Sequence, residues 1–500
     1  MNRSKKGFLN TFSHLFNQVV TAACGFIVPK LMLETFGSEV NGMISSITSF
    51  LGVVALMESG FGSVAKTAFY KPLAVSDRQG VSSVYNATES FFRKIALIFL
   101  GYCVILSFVF PLIKESSFDY FFTMTLVLVL GIQSFMQYYF GISYTLLFNA
   151  DQCGYVSGFL QVVVIILNAV LTVFLLKFGA GVHLVKFVSA MVFITKPVVM
   201  NIYGRNKYKI DRRIPEDKKS LAQKWDNFGQ SIALYIHTKT DSVLITLFLN
   251  YSEVSVYSVY SLVTTSLSAI IVAISSGFVS GLGNMYAKNE KETFNKVFSL
   301  YEFVNTTISF LFYTMAFILI IPFVRTYTAN IADVDYIRPL FGGAIIAGEL
   351  LYCLRLPYYY MITNARHYKQ IKNGAYIEAG LNIGISLVLI NFLGITGLAI
   401  GTGVAMLFRT SQIVAYCSKN IINRSSLMAI KRVGVNLFAA VCSIVLSKFV
   451  SFAVSNFIDL FIYAMFIGMI SLVVFASINF VFFKSDFKVL FSKIKNVINR

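Results

Sequence analysis

Residues 155–177 read YVSGFLQVVVIILNAVLTVFLLK and carry no charged side chain before Lys177 at their end. A helix of about 20 apolar residues is long enough to cross the hydrocarbon core of a bilayer. In that core an open, unpaired backbone is too costly, so a single spanning segment must be helical. This stretch therefore predicts a transmembrane helix.

The rest of the chain has the same character. Hydrophobic residues make up 56% of it, charged residues only 13%, and the mean hydropathy is +0.71, whereas soluble domains contain about 25% charged residues. Apolar segments of spanning length recur at 8–33, 41–65, 92–113, 119–148, 155–177, 183–203, 226–250, 256–286, 297–323, 339–363, 374–392, 395–417, 433–455 and 459–483. We therefore predict an all-α integral membrane protein with about 14 transmembrane helices.

Basic residues are distributed unevenly between these segments. When the N-terminus and the even-numbered loops share one side of the bilayer, that side holds 31 of the 42 lysines and arginines and the other side holds 7. The positive-inside rule then predicts that both termini are cytoplasmic. The asymmetry also accounts for the net charge of +19 without a nucleic-acid partner. Residues 204–225 are predicted to be a basic linker on anionic lipid, and Trp225 an interfacial anchor.

An internal repeat appears at an offset of 214–215 residues. The matching positions, in order, are Ser38-Glu39-Val40 with Ser252-Glu253-Val254, Asn149-Ala150 with Asn364-Ala365, Asn168 with Asn382, Gly179 with Gly394, and Ala190-Met191-Val192-Phe193 with Ala405-Met406-Leu407-Phe408. The offset contains six segments, and an even number restores the orientation in the membrane. The pattern therefore predicts two parallel six-helix repeats.

The repeat also predicts the domain organisation. An N-terminal six-helix bundle (1–203) is followed by the basic cytoplasmic linker (204–225) and by a C-terminal six-helix bundle (226–418). Residues 419–500 hold transmembrane helices 13 and 14 and a basic cytoplasmic tail. Such a pair of bundles is expected to enclose a cavity and to rock between two faces, which is alternating access.

Several short motifs accompany this topology. They are Asn17-Gln18, Pro29, Phe36-Gly37, Asn41-Gly42, Glu58-Ser59-Gly60-Phe61-Gly62, Asn149-Ala150-Asp151-Gln152 and Gly154-Tyr155-Val156. With its two six-helix repeats and two added helices, the chain resembles the multidrug/oligosaccharidyl-lipid/polysaccharide exporter superfamily. Within it, the chain is most similar to the bacterial O-antigen and capsular polysaccharide repeat-unit flippases.

The resemblance implies a cargo and a location. Members of that flippase family move undecaprenyl-pyrophosphate-linked oligosaccharides from the cytoplasmic to the outer leaflet of the bacterial inner membrane, for surface polysaccharide biosynthesis. It also implies working partners, a polysaccharide polymerase and glycosyltransferases. A flippase needs a hydrated cavity for the polar head of its cargo and a gap between helices for the lipid tail.

Charged residues within the spans are the first candidates for the site, because each costs at least ~2.5 kcal/mol in the membrane. We predict that Lys239, Arg355 and Arg409 contact the diphosphate of the cargo, since lysine and arginine are well suited to phosphate. The alternative is that these cations reach the interface or neutralise Glu349 and Glu378 on neighbouring helices.

Further candidates line the cytoplasmic halves of the spans or carry protons. Lys196 and Glu58 lie where a cargo head would be loaded. His237 and Asp241 are four residues apart and so share a helix face, which suits a proton relay coupled to H⁺ or Na⁺; a packed polar pair is the alternative.

The polar patch of His14, Asn17 and Gln18 is predicted to line the cavity and bind sugar hydroxyls, or else to form hydrogen bonds between helices. The run Pro357-Tyr358-Tyr359-Tyr360 could stack on sugars or belong to an interfacial aromatic belt.

Two other functions stay open. One is a cation-coupled multidrug exporter of the same superfamily, which would share the repeat. The other is a membrane polysaccharide polymerase or glycosyltransferase, although the longest outer loop, near 324–338, is short for that chemistry. No P-loop and no His-Glu-x-x-His motif occurs in the sequence, so we expect neither an enzyme nor a metal site or cofactor.

Overall fold

The computed structural model describes residues 3–114, 117–217, 228–450 and 452–488. The side chains of 3–8, 57, 59, 60, 228–234 and 236–238 lie outside this description, as do residues 218–225 of the predicted linker, which include Trp225. Within the described ranges the regular structure is helical and contains no strand. The prediction of an all-α integral membrane protein is confirmed.

The helices follow the predicted segments closely. In the first half they are α1 (Arg3–Leu51), α2 (Val54–Ala68), α3 (Tyr70–Ala74), α4 (Arg78–Ile113), α5 (Tyr120–Met136), α6 (Ile142–Ala150), α7 (Gly154–Lys177), α8 (Val182–Tyr208) and α9 (Phe228–Phe248). A π-helical turn, Gln137–Gly141, joins α5 to α6. This first series accounts for the first seven predicted segments.

Eight further helices follow in the rest of the described chain. They are α10 (Tyr251–Ala287), α11 (Lys291–Tyr327), α12 (Pro339–Leu354), α13 (Leu356–Asn364), α14 (Tyr368–Leu393), α15 (Ile395–Cys417), α16 (Leu427–Ser447) and α17 (Phe457–Phe482). A second π-helical turn, Ser418–Ile422, extends α15. The thirteenth segment was predicted at 433–455, but α16 begins and ends earlier.

Twelve helical stretches in the described part of the chain are long and apolar enough to cross a membrane, and the first covers 48 residues, Leu9–Leu56. That stretch is two spans joined at Gly37, whose φ of 80° interrupts the helix. A residue with a side chain rarely adopts such a φ, so glycine is required at this turn. The helix α9, which was outside that count, occupies the seventh predicted segment.

Backbone conformation reproduces the repeat seen in the sequence. In the described ranges, four pairs of residues with left-handed φ occur at offsets of 213–215 residues. The pairs are Ser76 with Asn289, Gln152 with Arg366, Gly179 with Gly394, and Lys209 with Asn423. Each pair lies at corresponding helix ends, so the two halves use the same turns to join their helices.

The chain divides into two compact units, Met1–Ser255 and Val256–Arg500. In the first unit α9 packs against α1 and α2. A close approach also joins α1 to the start of α10, where a Cβ on Gly42 would lie 1.6 Å from the carbonyl oxygen of Tyr251. Beside it, Asn41 Nδ2 donates to Ser255 Oγ over 2.7 Å. The division into bundles at 1–203 and 226–418 stays a prediction.

In the second unit α16 and α17 pack against α11, and buried charges hold them there. Glu302, which is 1% exposed, accepts hydrogen bonds from Tyr358, Arg424 and Arg432. Arg432 also donates to Asp486 over 2.7 Å. Burial lowers the pKa of Arg424, but the charge and hydrogen bond of Glu302 and the contact with Tyr358 together raise it, and the net pKa lies above its ordinary value. These contacts stabilise the packing of α16 and α17 against α11. We call Glu302, Tyr358, Arg424, Arg432 and Asp486 the Glu302 cluster.

Candidate functional site

The second membrane span of the first unit is interrupted. Its helix stops at Leu51 and resumes at Val54, and Gly52 lies in the turn between them. Two tyrosines bind carbonyl groups at the interruption: Tyr102 donates to the oxygen of Phe50 and Tyr235 to that of Ser49, each over 3.1 Å. Interrupted helices are a feature of transporter binding sites, because the freed backbone groups must be satisfied by protein, water or ligand.

Lys239 of α9 lies directly at this interruption. Its Cε is 3.6 Å from the position that a Cβ would take on Gly52, and its side chain is half-buried. Among the described residues the ammonium has no hydrogen bond and no ion pair. A cation held in a span without a carboxylate partner is costly, so an anionic ligand would be stabilised here.

The predicted relay on the same helix is described only in part. Asp241 is 4% exposed and interacts with other groups in the structure. The side chain of His237 lies outside the described residues. Their pairing therefore stays a prediction.

A polar pocket of about 200 Å³ opens within the first unit, between α5, the π-helical turn, α7 and α8. Its lining residues share a capacity for hydrogen bonding or ring stacking. They are Gln133, Ser134, Gln137, Tyr138, Gln161, Phe193 and Lys196. Polar groups at this density inside a transmembrane bundle are costly unless they contact water or a polar ligand. The pocket is smaller than the roughly 300–1,000 Å³ of ordinary ligand sites, so it suits a small polar group.

Of the predicted residues, Lys196 lines this pocket, and Glu58 contacts one of its lining residues, Tyr138. Lys196 Nζ donates to Gln161 Oε1 over 2.8 Å, and Tyr138 donates to Glu58 Oε2 over 2.8 Å. The pocket therefore has a cation in its lining and a carboxylate behind Tyr138, and each charge is held by a neutral partner.

In the second unit the structure brings Arg355 and Arg409 to one carboxylate. Arg355 Nη1 donates to Glu378 Oε1 over 2.9 Å, and Arg409 Nε lies 3.2 Å from Glu378 Oε2. Arg409 Nη1 also donates to the backbone oxygen of Ile371 and to Gln412 Oε1, over 2.9 and 2.7 Å. We call Arg355, Arg409 and Glu378 the arginine triad; their charges sum to +1. The structure therefore shows the alternative given in the sequence analysis, in which Glu378 neutralises arginines on neighbouring helices.

Glu349, the other acid considered as a partner, forms no ion pair with an arginine in the described part of the chain. It accepts a hydrogen bond from Ser268 Oγ over 2.7 Å, and Ser268 in turn lies 2.7 Å from the hydroxyl of Tyr313. The hydroxyl of Tyr313 also donates to the backbone oxygen of Thr264. This chain of hydroxyls satisfies a carboxylate inside the bundle without a cation.

The remaining candidates lie on the surface of α1 or are buried in the second unit. His14 and Gln18 are exposed on α1 and do not line the polar pocket, while Asn17 accepts from Thr21 over 3.5 Å. Tyr358 is 2% exposed and its hydroxyl binds Glu302. A residue buried in this way packs the bundle, so the tyrosine run does not present Tyr358 for stacking on sugars.

Sequence reasoning missed the glutamines of the pocket. Gln133 and Gln137 are four residues apart and share a helix face, and Gln161 lies in the stretch quoted at the outset. The signal was present, because amides are scarce in apolar spans, but a search for charged residues passes over them. Among the described residues, no group of three His, Cys, Asp or Glu side chains is arranged to hold a metal ion.

Comparison with solved structures places this arrangement among known folds. The lipid II flippase MurJ, in an inward closed conformation, is similar with a TM-score of 0.71 over 95% of this chain and 99% of its own, at 15% identity. The eukaryotic MATE transporter AtDTX14 is similar with a TM-score of 0.60 over 86% of this chain and 98% of its own, at 14% identity.

A third similar structure is the inward-facing conformation of a multidrug resistance MATE family transporter of the MOP superfamily. Its TM-score is 0.57 over 80% of this chain and 96% of its own, at 16% identity. MurJ and the MATE transporters both belong to the MOP superfamily. The chain therefore has the fold of that class of membrane transporters.

The sequence comparisons found nothing further: no protein-family model matches the chain, and no curated protein matches it.

Proposed function

We propose that this protein is a flippase that moves a polyprenyl-diphosphate-linked oligosaccharide from the cytoplasmic to the outer leaflet of the bacterial inner membrane by alternating access. Both termini lie in the cytoplasm, and the translocated unit serves surface polysaccharide synthesis. H⁺ or Na⁺ coupling through Asp241 and His237 is part of the proposal. The fold shared with a lipid II flippase over 95% of the chain supports a lipid-linked cargo.

The observation that carries this proposal is the position of Lys239. An ammonium without a partner among the described residues lies against an interrupted helix, where a diphosphate would satisfy the charge. The binding of a phosphate would also offset the desolvation cost of the lysine. We therefore assign Lys239 as the main contact for the diphosphate.

The polar pocket supplies a second element of the proposal. Glutamine amides donate and accept hydrogen bonds, which matches sugar hydroxyls, and Tyr138 and Phe193 offer aromatic surface. Its volume of about 200 Å³ suits one sugar residue and not a whole repeat unit. A site that grips one residue would tolerate variation in the others.

The arginine triad has a weaker case for cargo contact. Its net charge of +1 could attract a diphosphate, but Glu378 already satisfies donors of both guanidinium groups. We therefore assign Arg355 and Arg409 first to holding the helices of the second unit together.

The test is the lipid content of cells depleted of the protein. We expect one defined polyprenyl-linked saccharide to accumulate on the cytoplasmic face, detected by mass spectrometry, and to be cleared when the intact gene is restored. Unchanged lipid intermediates at full depletion would overturn the flippase assignment.

Restoration with variants tests the assigned contact separately. Lys239→Gln should fail to clear the intermediate at normal protein levels, and Lys239→Arg should clear it at least partly. Lys177→Gln, which removes an exposed lysine at the end of α7, is the matched control. If Lys239→Gln clears the lipid as well as the control does, the flippase assignment stands and the role of Lys239 is wrong.

A cation-coupled multidrug exporter is the second candidate. The similarity to MATE transporters and the buried carboxylate of Asp241 favour it. It predicts normal lipid intermediates together with new sensitivity to cationic drugs on depletion, a sensitivity that Asp241→Asn would fail to relieve.

A further inference from the structure

A second cavity, of about 290 Å³, lies at the C-terminal end of α8 in the first unit. It is lined by Tyr144, Arg205, Lys209, Ile210 and Arg212. Three of these five side chains are cations, and the lining has no carboxylate. The polar pocket described above has a different lining, so this cavity is a separate feature, which we call the basic cavity.

The wall of the basic cavity is a segment of the predicted linker, residues 209–217, held along α4. Asn86 Nδ2 donates to the backbone oxygens of Asp211 and Ile214, over 3.0 and 2.9 Å. Ser83 Oγ donates to the oxygen of Pro215 over 2.6 Å. The linker therefore has a fixed course at this point, and Lys209 and Arg212 are presented from a defined backbone.

The turn into this segment is made by Lys209 itself. Its φ of 47° is left-handed and its N–H donates to the oxygen of Arg205, which ends α8. A left-handed residue is a common way to end a helix, and Asn423 makes the same turn in the second half. The turn brings Lys209 and Arg205 to the same cavity.

The floor is made by aromatic packing. The ring of Tyr144 lies against the backbone of Gly204, and its centroid is 4.6 Å from that of Tyr85. Tyr144 is 1% exposed. Tyr144 closes the cavity from below, and the three cations above it are exposed to solvent, so a phosphate group can reach them.

The charges at the cavity are only partly compensated. Arg212 Nη2 donates to Glu89 over 2.9 Å, and Lys207, outside the cavity, is paired with Asp151 over 3.0 Å. In the described part of the chain, Arg205 and Lys209 have no ion pair. Basic residues near a helix C-terminus can serve simply to complement its negative end. That explanation covers Arg205 but not Arg212, which the linker brings from outside the helix.

We propose that the basic cavity binds a phosphate group, carried by an anionic phospholipid of the cytoplasmic leaflet or by a free phosphate or diphosphate. Arginine forks and a lysine ammonium are the side chains that recognise phosphate best. Exposed Ile202 and Tyr203 precede the cavity on α8, as expected at the level of lipid head groups. The site is independent of the cargo contact assigned to Lys239.

The experiment uses the full-length purified protein in nanodiscs of phosphatidylcholine with and without phosphatidylglycerol. Native mass spectrometry counts retained phosphatidylglycerol, and calorimetry measures binding of inorganic pyrophosphate. The test variant is Arg205→Gln/Lys209→Gln/Arg212→Gln. The control, Lys288→Gln/Lys291→Gln/Lys419→Gln, removes three exposed cations at other loops and changes the net charge equally.

We expect the wild-type protein and the control to retain one tightly bound phosphatidylglycerol or to bind one pyrophosphate, and the test variant to bind roughly tenfold more weakly or not at all. Lipid retention that pyrophosphate does not displace identifies a lipid head group. Pyrophosphate binding that is the same in both kinds of nanodisc identifies a free phosphate.

Equal loss of lipid in the test and control variants would show general charge attraction only and overturn the proposal, as would absence of any bound phosphate in the wild-type protein. If the triple variant does not fold, Arg205→Gln replaces it. The Arg205 side chain is exposed, and the described linker segment is held by Ser83 and Asn86 instead, so this variant keeps the wall of the cavity intact.

Discussion

Lys239 differs from Arg355 and Arg409 in what surrounds its charge. The lysine has no partner among the described residues, whereas the two arginines share Glu378, which is 7% exposed in its side chain. A charge that lacks a partner in the protein is available to a ligand. Two arginines that share one carboxylate depend on each other, so we expect the loss of any member of the triad to lower the free energy of unfolding before it affects transport.

This difference gives a prediction for the arginine triad. Glu378→Gln leaves two buried guanidinium groups without a carboxylate, and we expect a loss of roughly 3–5 kcal/mol in the free energy of unfolding. Arg355→Gln leaves the balanced pair of Arg409 and Glu378 and should cost less. The measurement is thermal unfolding in detergent.

The control for the triad is Glu292→Gln, since Glu292 pairs with Lys296 on an exposed helix face and should not change the melting temperature measurably. If Glu378→Gln kept the melting temperature of the wild-type protein but abolished transport, the arginines would contact cargo as the sequence predicted, and our structural assignment would be wrong.

Among the helices, α16 and α17 show how an added pair joins a six-helix repeat. The Glu302 cluster fixes one end of α16, and a pair of buried amides joins the two helices, with Asn479 Nδ2 donating to Asn436 Oδ1 over 3.1 Å. A hydrogen bond between the side chains of two membrane helices contributes about 0.6 kcal/mol to stability on average. The loss of a buried ion partner destabilises the protein much more, because it leaves the other charge buried and unpaired.

We therefore predict that Arg432→Gln destabilises the protein by several kcal/mol, since it leaves Glu302 with one arginine fewer and Asp486 without this partner. Asn479→Leu should lower the melting temperature much less. The neighbouring exposed Lys431 offers the matched control, Lys431→Gln, which removes the same charge without entering the cluster. Equal melting temperatures for the Arg432 and Lys431 variants would contradict the anchoring role of the cluster.

For the molecule as a whole, the uneven distribution of basic residues predicts its orientation in the membrane. Cytoplasmic termini require that the loop between α11 and α12 face outward. We expect a fluorescent protein fused after Arg500 to be fluorescent, and alkaline phosphatase fused after Asn330 to be active only outside the cytoplasm. The two reporters respond oppositely to location, so each controls the other. An inactive phosphatase at Asn330 with a dark C-terminal fusion would reverse the orientation, and the direction of transport with it.

The all-helical fold, the approximate limits of most helices and the repeat could be predicted from the sequence, because apolar length and turn residues are local properties of each segment. Gly179 and Gly394 illustrate this, since they match in sequence and both adopt left-handed φ. The thirteenth span was misplaced for a related reason. A charged Arg432 marks a helix boundary in the sequence, but its ion partners allow it to be fully buried, at 0% exposed, inside α16.

Which polar groups meet was decided only by the tertiary structure. The sequence supplied Arg355, Glu378 and Arg409 as separate candidates, and helix packing joined them into one triad while leaving Lys239 beside an interrupted helix. Gln161 of α7 meets Gln133 and Gln137 in one pocket only in the folded chain, and Tyr144 of α6 meets the cations of residues 205–212 in the basic cavity in the same way. Local hydropathy determines where a segment crosses the membrane, whereas the pairing of charges depends on distances between helices, which only the folded chain sets.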